Sequence, residues 1–397
     1  MLNLQWIGCC ALAFASVAHF QVIEYDPSSR LEQPLQLSQA GVGQDSLFSL
    51  HRSLVNIESI SGNEHDVGIY LERFLQHHNY TVERQDISPL HSYSSPHKQR
   101  FNILAYPGDK RQTRILLSSH IDTVPPHYGY GLREHDQIWG RGSVDAKACV
   151  ATQFQAVQEL LASKEISPND ASLLFVVGEE FGGDGMRAVN DLDMEWETVI
   201  FGEPTELKLA SGHKGILIFT LKAHGKAGHS GYPWLWKSAN HMLIPALAKL
   251  QQLELPSSEK YGNSTLNIGQ IHGGVAVNVI AETASAKVGL RIAGGDPGVV
   301  KDMVLNAVKS VDEDLEIEFH VGAYGPVYID GDVEGFDTIT VNYGTDIPNL
   351  KGSHKRYLYG PGSILVAHSD HEHLKAGDLL EAVKGYKMLV KAALGSK

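Results

Sequence analysis

Apolar runs that stop at an acidic or histidine residue recur through the first half of the chain. Ile115-Leu116-Leu117 leads to His120, Leu173 to Val177 leads to Glu179 and Glu180, and Val199-Ile200-Phe201 leads to Glu203. Between them, Asp145 to Ser163 carries Val150, Phe154, Val157 and Leu161 at helical spacing. Ser61-Gly62-Asn63-Glu64 has the spacing of a capping box ahead of Val67, Leu71, Phe74 and Leu75. Strands alternating with helices predict an α/β sheet covered on both faces. Ligands of such sheets bind at the carboxyl ends of the strands, so three strands are expected to deliver acids and a histidine to one rim.

A different rhythm follows. Strands are expected at Ile216 to Ala223, Thr265 to Ile271, Thr283 to Ile292 and Leu315 to Val321, with helices at Trp234 to Leu253 and Val299 to Val311. The order βαββαβ is that of a ferredoxin-like α+β sandwich. It predicts a lid domain over residues 213–325, inserted into a catalytic domain formed by 45–212 and 326–397. The chain returns with Thr338-Ile339-Thr340-Val341, a Gly-rich stretch and a terminal helix over 378–393.

Length and composition change this picture little. The chain has 397 residues, 43% hydrophobic and 20% charged, which suits two globular domains. A formal net charge of −13 argues against nucleic acid or an anionic membrane as a partner, although a small anionic substrate can still meet a locally positive pocket. The ends of the chain add more. Trp6 to Val17 is apolar and Ser16-Val17-Ala18 is small, so residues 1–18 read as a signal peptide, too short for a membrane span of ~20 residues. Its first residues lack the usual Lys or Arg. Residues 19–44 read as a polar arm or pro-segment, and a secreted, extracellular protein is expected. Cys9 and Cys10 fall in the leader, which leaves Cys149 with no thiol to pair. Asn79-Tyr80-Thr81 and Asn263-Ser264-Thr265 are glycosylation sequons at Asn79 and Asn263.

The chemistry sits at the ends of the apolar runs. In extended chain His120 and Asp122 face the same way, so the carboxylate can orient the ring and leave its other nitrogen for a metal. Taken alone, the pair reads more readily as a polar strand end. Asp145, at a helix start within Gly140-Arg141-Gly142-Ser143-Val144-Asp145-Ala146-Lys147, reads as an N-cap or as a bridging carboxylate. Adjacent Glu179 and Glu180 repel unless cations neutralise them. As extended residues they would point to opposite faces. His368 stands in a segment with His371 and His373. Together His120, Asp145, Glu180, Glu203 and His368 form a borderline nitrogen and oxygen set suited to two zinc ions, with cobalt or manganese as substitutes.

At this point the sequence resembles the two-zinc metallopeptidases that include aminoacylase, acetylornithine deacetylase, succinyl-diaminopimelate desuccinylase and glutamate carboxypeptidase. The matching segments are SSHIDTVP, GRGSVDAKA, GEEFGGDG, FGEPT, GKAGHSGYP, GGVAVNVI and AHSDHEHL, in the family's order over about residues 47–395. The resemblance implies a zinc-exopeptidase-like α/β/α catalytic domain. It implies that His120 and Glu203 hold one zinc, Glu180 and His368 the other, and Asp145 both. It further implies that Glu179 is the general base, that Asp122 orients His120, and that His229 stabilises the oxyanion, across the interface of a homodimer formed through the lid domain in dimeric relatives. Asn278 and Arg291 match positions that hold the substrate carboxylate, and the Asp145–Ala146 peptide is expected to be cis. Arg291 also falls on the polar face of its own strand, alternating with Val288, Leu290 and Ile292. Ala281 stands where many relatives have Pro.

The reading is a secreted carboxypeptidase acting on small peptides, with an N-acyl-amino-acid amidohydrolase as the alternative. Lid closure is expected to bring His229 and Arg291 to the metals. Two rivals come from other classes. A non-catalytic relative would have lost a ligand or Glu179. A serine hydrolase would use Gly228-His229-Ser230-Gly231, which lacks the spacing of a nucleophile elbow.

Overall fold

The computed structural model describes residues 42–89, 98–133, 136–320 and 322–395. The leader and nearly all of the polar arm therefore lie outside the described residues. A six-stranded sheet forms the centre, in the order Thr81–Ile87, Arg100–Tyr106, Ala171–Val176, Ile115–His120, Thr198–Gly202 and Lys355–Tyr359. The last four run parallel, and Arg100–Tyr106 runs against both of its neighbours. Ala171–Val176, Ile115–His120 and Thr198–Gly202 are buried at every position, as unbroken apolar runs in a sheet covered on both faces must be. Helices Val42–Asn56, Lys147–Ala162 and Ala376–Leu394 cover one face, where Phe154, Leu160, Tyr386 and Leu389 pack on Leu117, Leu173 and Ile200. On the other face Met186, Val189, Trp196, Ile347 and Leu350 pack on Leu116, Leu174 and Val199.

The inserted sheet has the order Thr265–Gly273, Thr283–Ile292, Gly215–His224 and Glu316–Phe319, antiparallel throughout. Its central strands alternate buried and half-buried positions, the mark of a sheet with one face on a core and the other open. Helices Ala239–Gln251 and Pro297–Lys309 cover the buried face, with Met242, Leu243, Val300 and Val304 against Phe219, Leu221, Val288 and Leu290. This is the expected ferredoxin-like lid, and the α/β class with an inserted α+β unit is borne out.

Two local expectations fail, each for a physical reason. Ser61 and Glu64 do not close a capping box. Ser61 Oγ donates to Asp122 Oδ2 at 2.7 Å, Glu64 is taken by Arg100 at 2.8 and 2.9 Å, and helix His65–His77 begins without a side-chain cap. A buried carboxylate and a buried guanidinium gain more from each other than from an exposed helix end. The helix expected from Trp234 starts at Ala239 instead. Pro233–Leu235 forms a separate 3-10 turn, and Ser238 caps the helix by accepting from His241 N at 3.4 Å.

Candidate metal centre

Three neighbouring parallel strands open on the same rim, and each leads to a polar residue. Ile115–His120 ends on His120, Thr198–Gly202 leads to Glu203, and Ala171–Val176 leads to Gly178 and a 3-10 turn at Glu179–Phe181. Gly178 takes φ 74°, and a Cβ there would lie 2.0 Å from Asp184 Oδ1, so only glycine makes this turn. Glu179 and Glu180 are therefore not extended residues on opposite faces, as expected, but successive positions of a tight turn. Asp145 precedes the helix Lys147–Ala162, and its peptide to Ala146 is cis. His368 follows the 3-10 turn Ile364–Val366, at φ 62°.

These elements bring together all the ligands expected from the sequence. His120 Nε2 lies 3.2 Å from Asp145 Oδ1 and 3.8 Å from Glu203 Oε1. His368 Nε2 lies 3.2 Å from Asp145 Oδ2 and 3.0 Å from Glu180 Oε2. Asp145 thus presents one oxygen to each imidazole. Ligand atoms of His120, Glu179 and Glu203 lie within 4.8 Å of one another, as do those of His120, Asp145 and Glu180. His371 and His373 do not join them. His371 pairs with Asp370, and His373 stacks on Trp139 at 4.7 Å.

The electrostatics are those of a centre short of positive charge. Burial and then the charge of Glu203 push Glu179 well above the carboxylate range. Burial and then Asp145 push Glu180 up to about 7, and burial pushes Glu203 up to about 8. Burial works against ionisation of Asp145 too, but the bonds from His120 and His368 hold it well below its ordinary value. Buried acids this close ionise together only when cations lie among them. The donor set and its crowding fit divalent metal.

A second ring fixes the donors. His120 Nδ1 donates to the Asp122 backbone carbonyl at 3.0 Å, with the Asp122 carboxylate at 3.4 Å. The expected carboxylate contact is therefore the longer of the two. The Asp122 carboxylate also accepts from Glu179 N at 3.1 Å and Glu180 N at 3.2 Å, so it anchors the turn that carries both acids. Glu372, not foreseen from the sequence, accepts from Val144 N, Asp145 N and Arg141 Nη1 at 3.1, 3.2 and 2.7 Å. Its only signal was an acid inside the His-rich segment. Lys147, fully buried, donates to the Leu54 and Ile57 carbonyls at 2.8 and 2.9 Å and ties the Asp145 loop to the first helix.

Above this floor is a cleft of about 430 Å³. Its floor includes Asp145, Glu179, Glu180, Glu203 and His368, and its roof is the open face of the lid sheet, with Ile216, Ile218, Lys287 and Arg291. Arg291 lines the cleft as the lid stands, without further closure. His229 and Asn278 do not line it. Both are exposed, in adjoining loops where Ser230 N donates to the Asn278 carbonyl at 3.1 Å. Those loops adjoin the His224 and Thr283 end of the lid strands, whereas Ile216 and Arg291 mark the other end. Eight residues of strand separate the two ends by roughly 27 Å at ~3.4 Å per residue.

A sheet that gathers imidazoles and carboxylates on one rim, under an inserted α+β lid, has the donor set of a metal-dependent hydrolase. Family comparison agrees. Residues 211–316 match the peptidase dimerisation domain of the M20 family, and residues 102–198 match peptidase family M28. A Peptidase M20 domain-containing protein of Sordaria macrospora is 49% identical over 88% of this chain and 85% of its own. A probable carboxypeptidase of Aspergillus oryzae is 48% identical over 87% of each chain. The chain belongs to the M20 peptidase family, and it is a peptide hydrolase. Among solved structures, an M20 family metallo-carboxypeptidase from Sulfolobus solfataricus superposes with a TM-score of 0.70, at 17% identity over 88% of this chain and 99% of that one. A dinuclear metal binding peptidase of the M20 family from Bacillus subtilis has a TM-score of 0.60, at 15% identity over 89% and 99%.

Proposed function

We propose that the chain is a secreted, zinc-dependent carboxypeptidase that hydrolyses the amide bond next to a free C-terminal carboxylate. One observation carries the reading: the two carboxylate oxygens of Asp145 are each 3.2 Å from a different imidazole, Oδ1 from His120 and Oδ2 from His368. His120 and Glu203 would hold one zinc ion, Glu180 and His368 the other, and Asp145 both. Two imidazoles and three carboxylates suit zinc, with cobalt or manganese as substitutes. When bound, such a pair lowers the pKa of water and polarises the scissile carbonyl.

The protein groups do the rest. Glu179 accepts the proton of the attacking water and returns it to the leaving amine. Asp122 holds both His120 and the backbone of the Glu179 turn, and so fixes the base relative to the ligands. Arg291 grips the substrate carboxylate, for which a planar guanidinium is suited. His229 supplies an oxyanion donor and Asn278 a further carboxylate contact, both to the cleft of a second copy, since the lid strands hold them far from their own. A homodimer through the lid agrees with the exposed apolar residues beside them, Trp234 at 75%, Val275 at 89% and Val277 at 100%.

Secretion rests on the apolar leader at residues 1–18. Asn79 and Asn263 are exposed, which leaves room for glycans. The names of the relatives favour the carboxypeptidase over the N-acyl-amino-acid amidohydrolase. The test is incubation with short peptides and N-acyl amino acids, with and without chelator, and identification of the released amino acids. Release of C-terminal residues, lost with chelator and restored by zinc, is expected. Cleavage of acyl compounds alone would move the assignment to an aminoacylase.

A further inference from the structure

Alternation along Thr283–Ile292 turns Lys287, Gly289 and Arg291 toward the cleft while Val288 and Leu290 pack on the lid helices. Lys287 and Arg291 start about 14 Å apart along the strand, at ~3.4 Å per residue. Gly289 lies between them, and a Cβ placed there would meet nothing within 4 Å. A trough thus runs between two cations. Its side wall is Ile218, which pairs with Gly289 across the sheet. His320 borders it as well, donating its backbone N–H to the Ile218 carbonyl at 2.9 Å, with its Nε2 2.9 Å from Thr220 Oγ1.

The charges here are unspent. Lys222, further along the same face, is neutralised by Glu318 at 2.6 Å. Among the described residues, neither Lys287 nor Arg291 has a carboxylate within 4.0 Å, although both line the cleft. Burial and then the Lys287 charge hold His320 below its ordinary range, so near neutral pH it is a neutral hydrogen-bonding group. A subsite for an apolar side chain would not place an unpaired ammonium at its edge, because a polar group held against apolar surface without a partner is costly.

We propose that the trough over Gly289 is a second anion subsite, in which Lys287 and His320 receive the side-chain carboxylate of a C-terminal glutamate or aspartate while Arg291 holds the main-chain carboxylate. The proposal rests on the carboxypeptidase reading. It makes Lys287 a specificity-determining residue: the enzyme prefers substrates that end in an acidic residue, and Ile218 packs on the methylene carbons of that side chain.

Two peptides that differ by one charge test it. The zinc-loaded full chain is assayed on N-benzyloxycarbonyl-Ala-Glu and on its neutral isostere N-benzyloxycarbonyl-Ala-Gln. The wild type should favour the glutamate peptide in kcat/KM by about tenfold or more, the size expected of one charged hydrogen bond. Lys287→Met should bring the ratio close to one, mainly by loss on the glutamate peptide. Lys287→Glu should shift preference toward a peptide ending in lysine. Lys287 is a half-buried surface position, so neither change should unfold the lid. A wild-type ratio near one, or a ratio that survives Lys287→Met, overturns the subsite alone. Failure to release the C-terminal residue from either peptide overturns the carboxypeptidase reading and the subsite with it.

Discussion

The floor and the roof of the cleft are built in opposite ways. On the floor His120 is 1% exposed, Asp145 and Glu203 are 6% exposed, and each donor is held by groups that do no chemistry themselves. Asp122 spans four partners and Glu372 three, so the acids keep their places against their own repulsion. The roof is the open face of a regular sheet. Among the described residues its two cleft cations, Lys287 and Arg291, stand half-buried with no carboxylate within 4.0 Å, and its loops with His229 and Asn278 lie outside the cleft. A centre that needs fixed distances sits where buried partners are plentiful. Groups that need only meet a substrate sit on a surface that can move as a body.

The sharpest way to test this division is at the base. Glu179→Gln should lower kcat by about 10²–10⁴-fold, the range for loss of a general acid–base group, while the protein keeps its metal. Loss of metal in that variant would make Glu179 part of the ligand scaffold instead. The far end of the roof comes next. His229→Ala should cost about 10²–10³-fold in kcat, as loss of an oxyanion donor does. Mixing it with Glu179→Gln should restore part of the activity, because in a mixed dimer the Glu179→Gln chain lends its intact His229 to the cleft of the chain that keeps Glu179. No recovery on mixing would assign His229 to its own chain.

The second ring of the floor is probed by stability. Glu372→Ala leaves Arg141 buried without its partner and should cost about 3–5 kcal/mol in denaturant unfolding. A smaller loss would mean that the Asp145 loop is held elsewhere, with Lys147 the first candidate.

The last effect concerns pH. Burial holds the imidazoles of His51 and His213 down at about 4. Between pH 4 and about 6.5 these two imidazoles therefore bind more protons in the unfolded chain than in the folded one, so the stability they contribute falls as pH falls through that window. The loss should approach on the order of 3 kcal/mol for each group at pH 4 and be absent above about 6.5. Melting temperatures followed across this range, in wild type and in His51→Gln, check the sign. An unchanged difference between wild type and His51→Gln across the window would contradict the buried neutral state of His51.

Much of the floor was legible in the sequence because His120, Glu179, Glu180 and Glu203 stand where an apolar run stops, and the sheet carries that pattern to one rim. The ferredoxin-like order of the lid was legible through alternation at Thr283–Ile292 and the two helical stretches. What the sequence hid depends on partners far away along the chain. The capping-box spacing at Ser61 and Glu64 is a local signal, and it lost to Asp122 and Arg100, which arrive only after folding. Glu372 reaches the Asp145 loop across more than 220 positions of sequence. Cleft position is equally non-local: Lys287 and Arg291 share a face by simple alternation, but only the packed lid turns that face to the metals.

The central claim is that Asp145 joins two metal sites, and counting metal tests it most directly. Chelated protein is titrated with zinc while bound metal and peptide hydrolysis are read on the same samples. The account predicts two zinc ions per chain, activity that appears as they bind, and loss of the second ion together with most activity in His368→Ala. A single ion per chain in fully active protein, or hydrolysis that persists without metal, would contradict it.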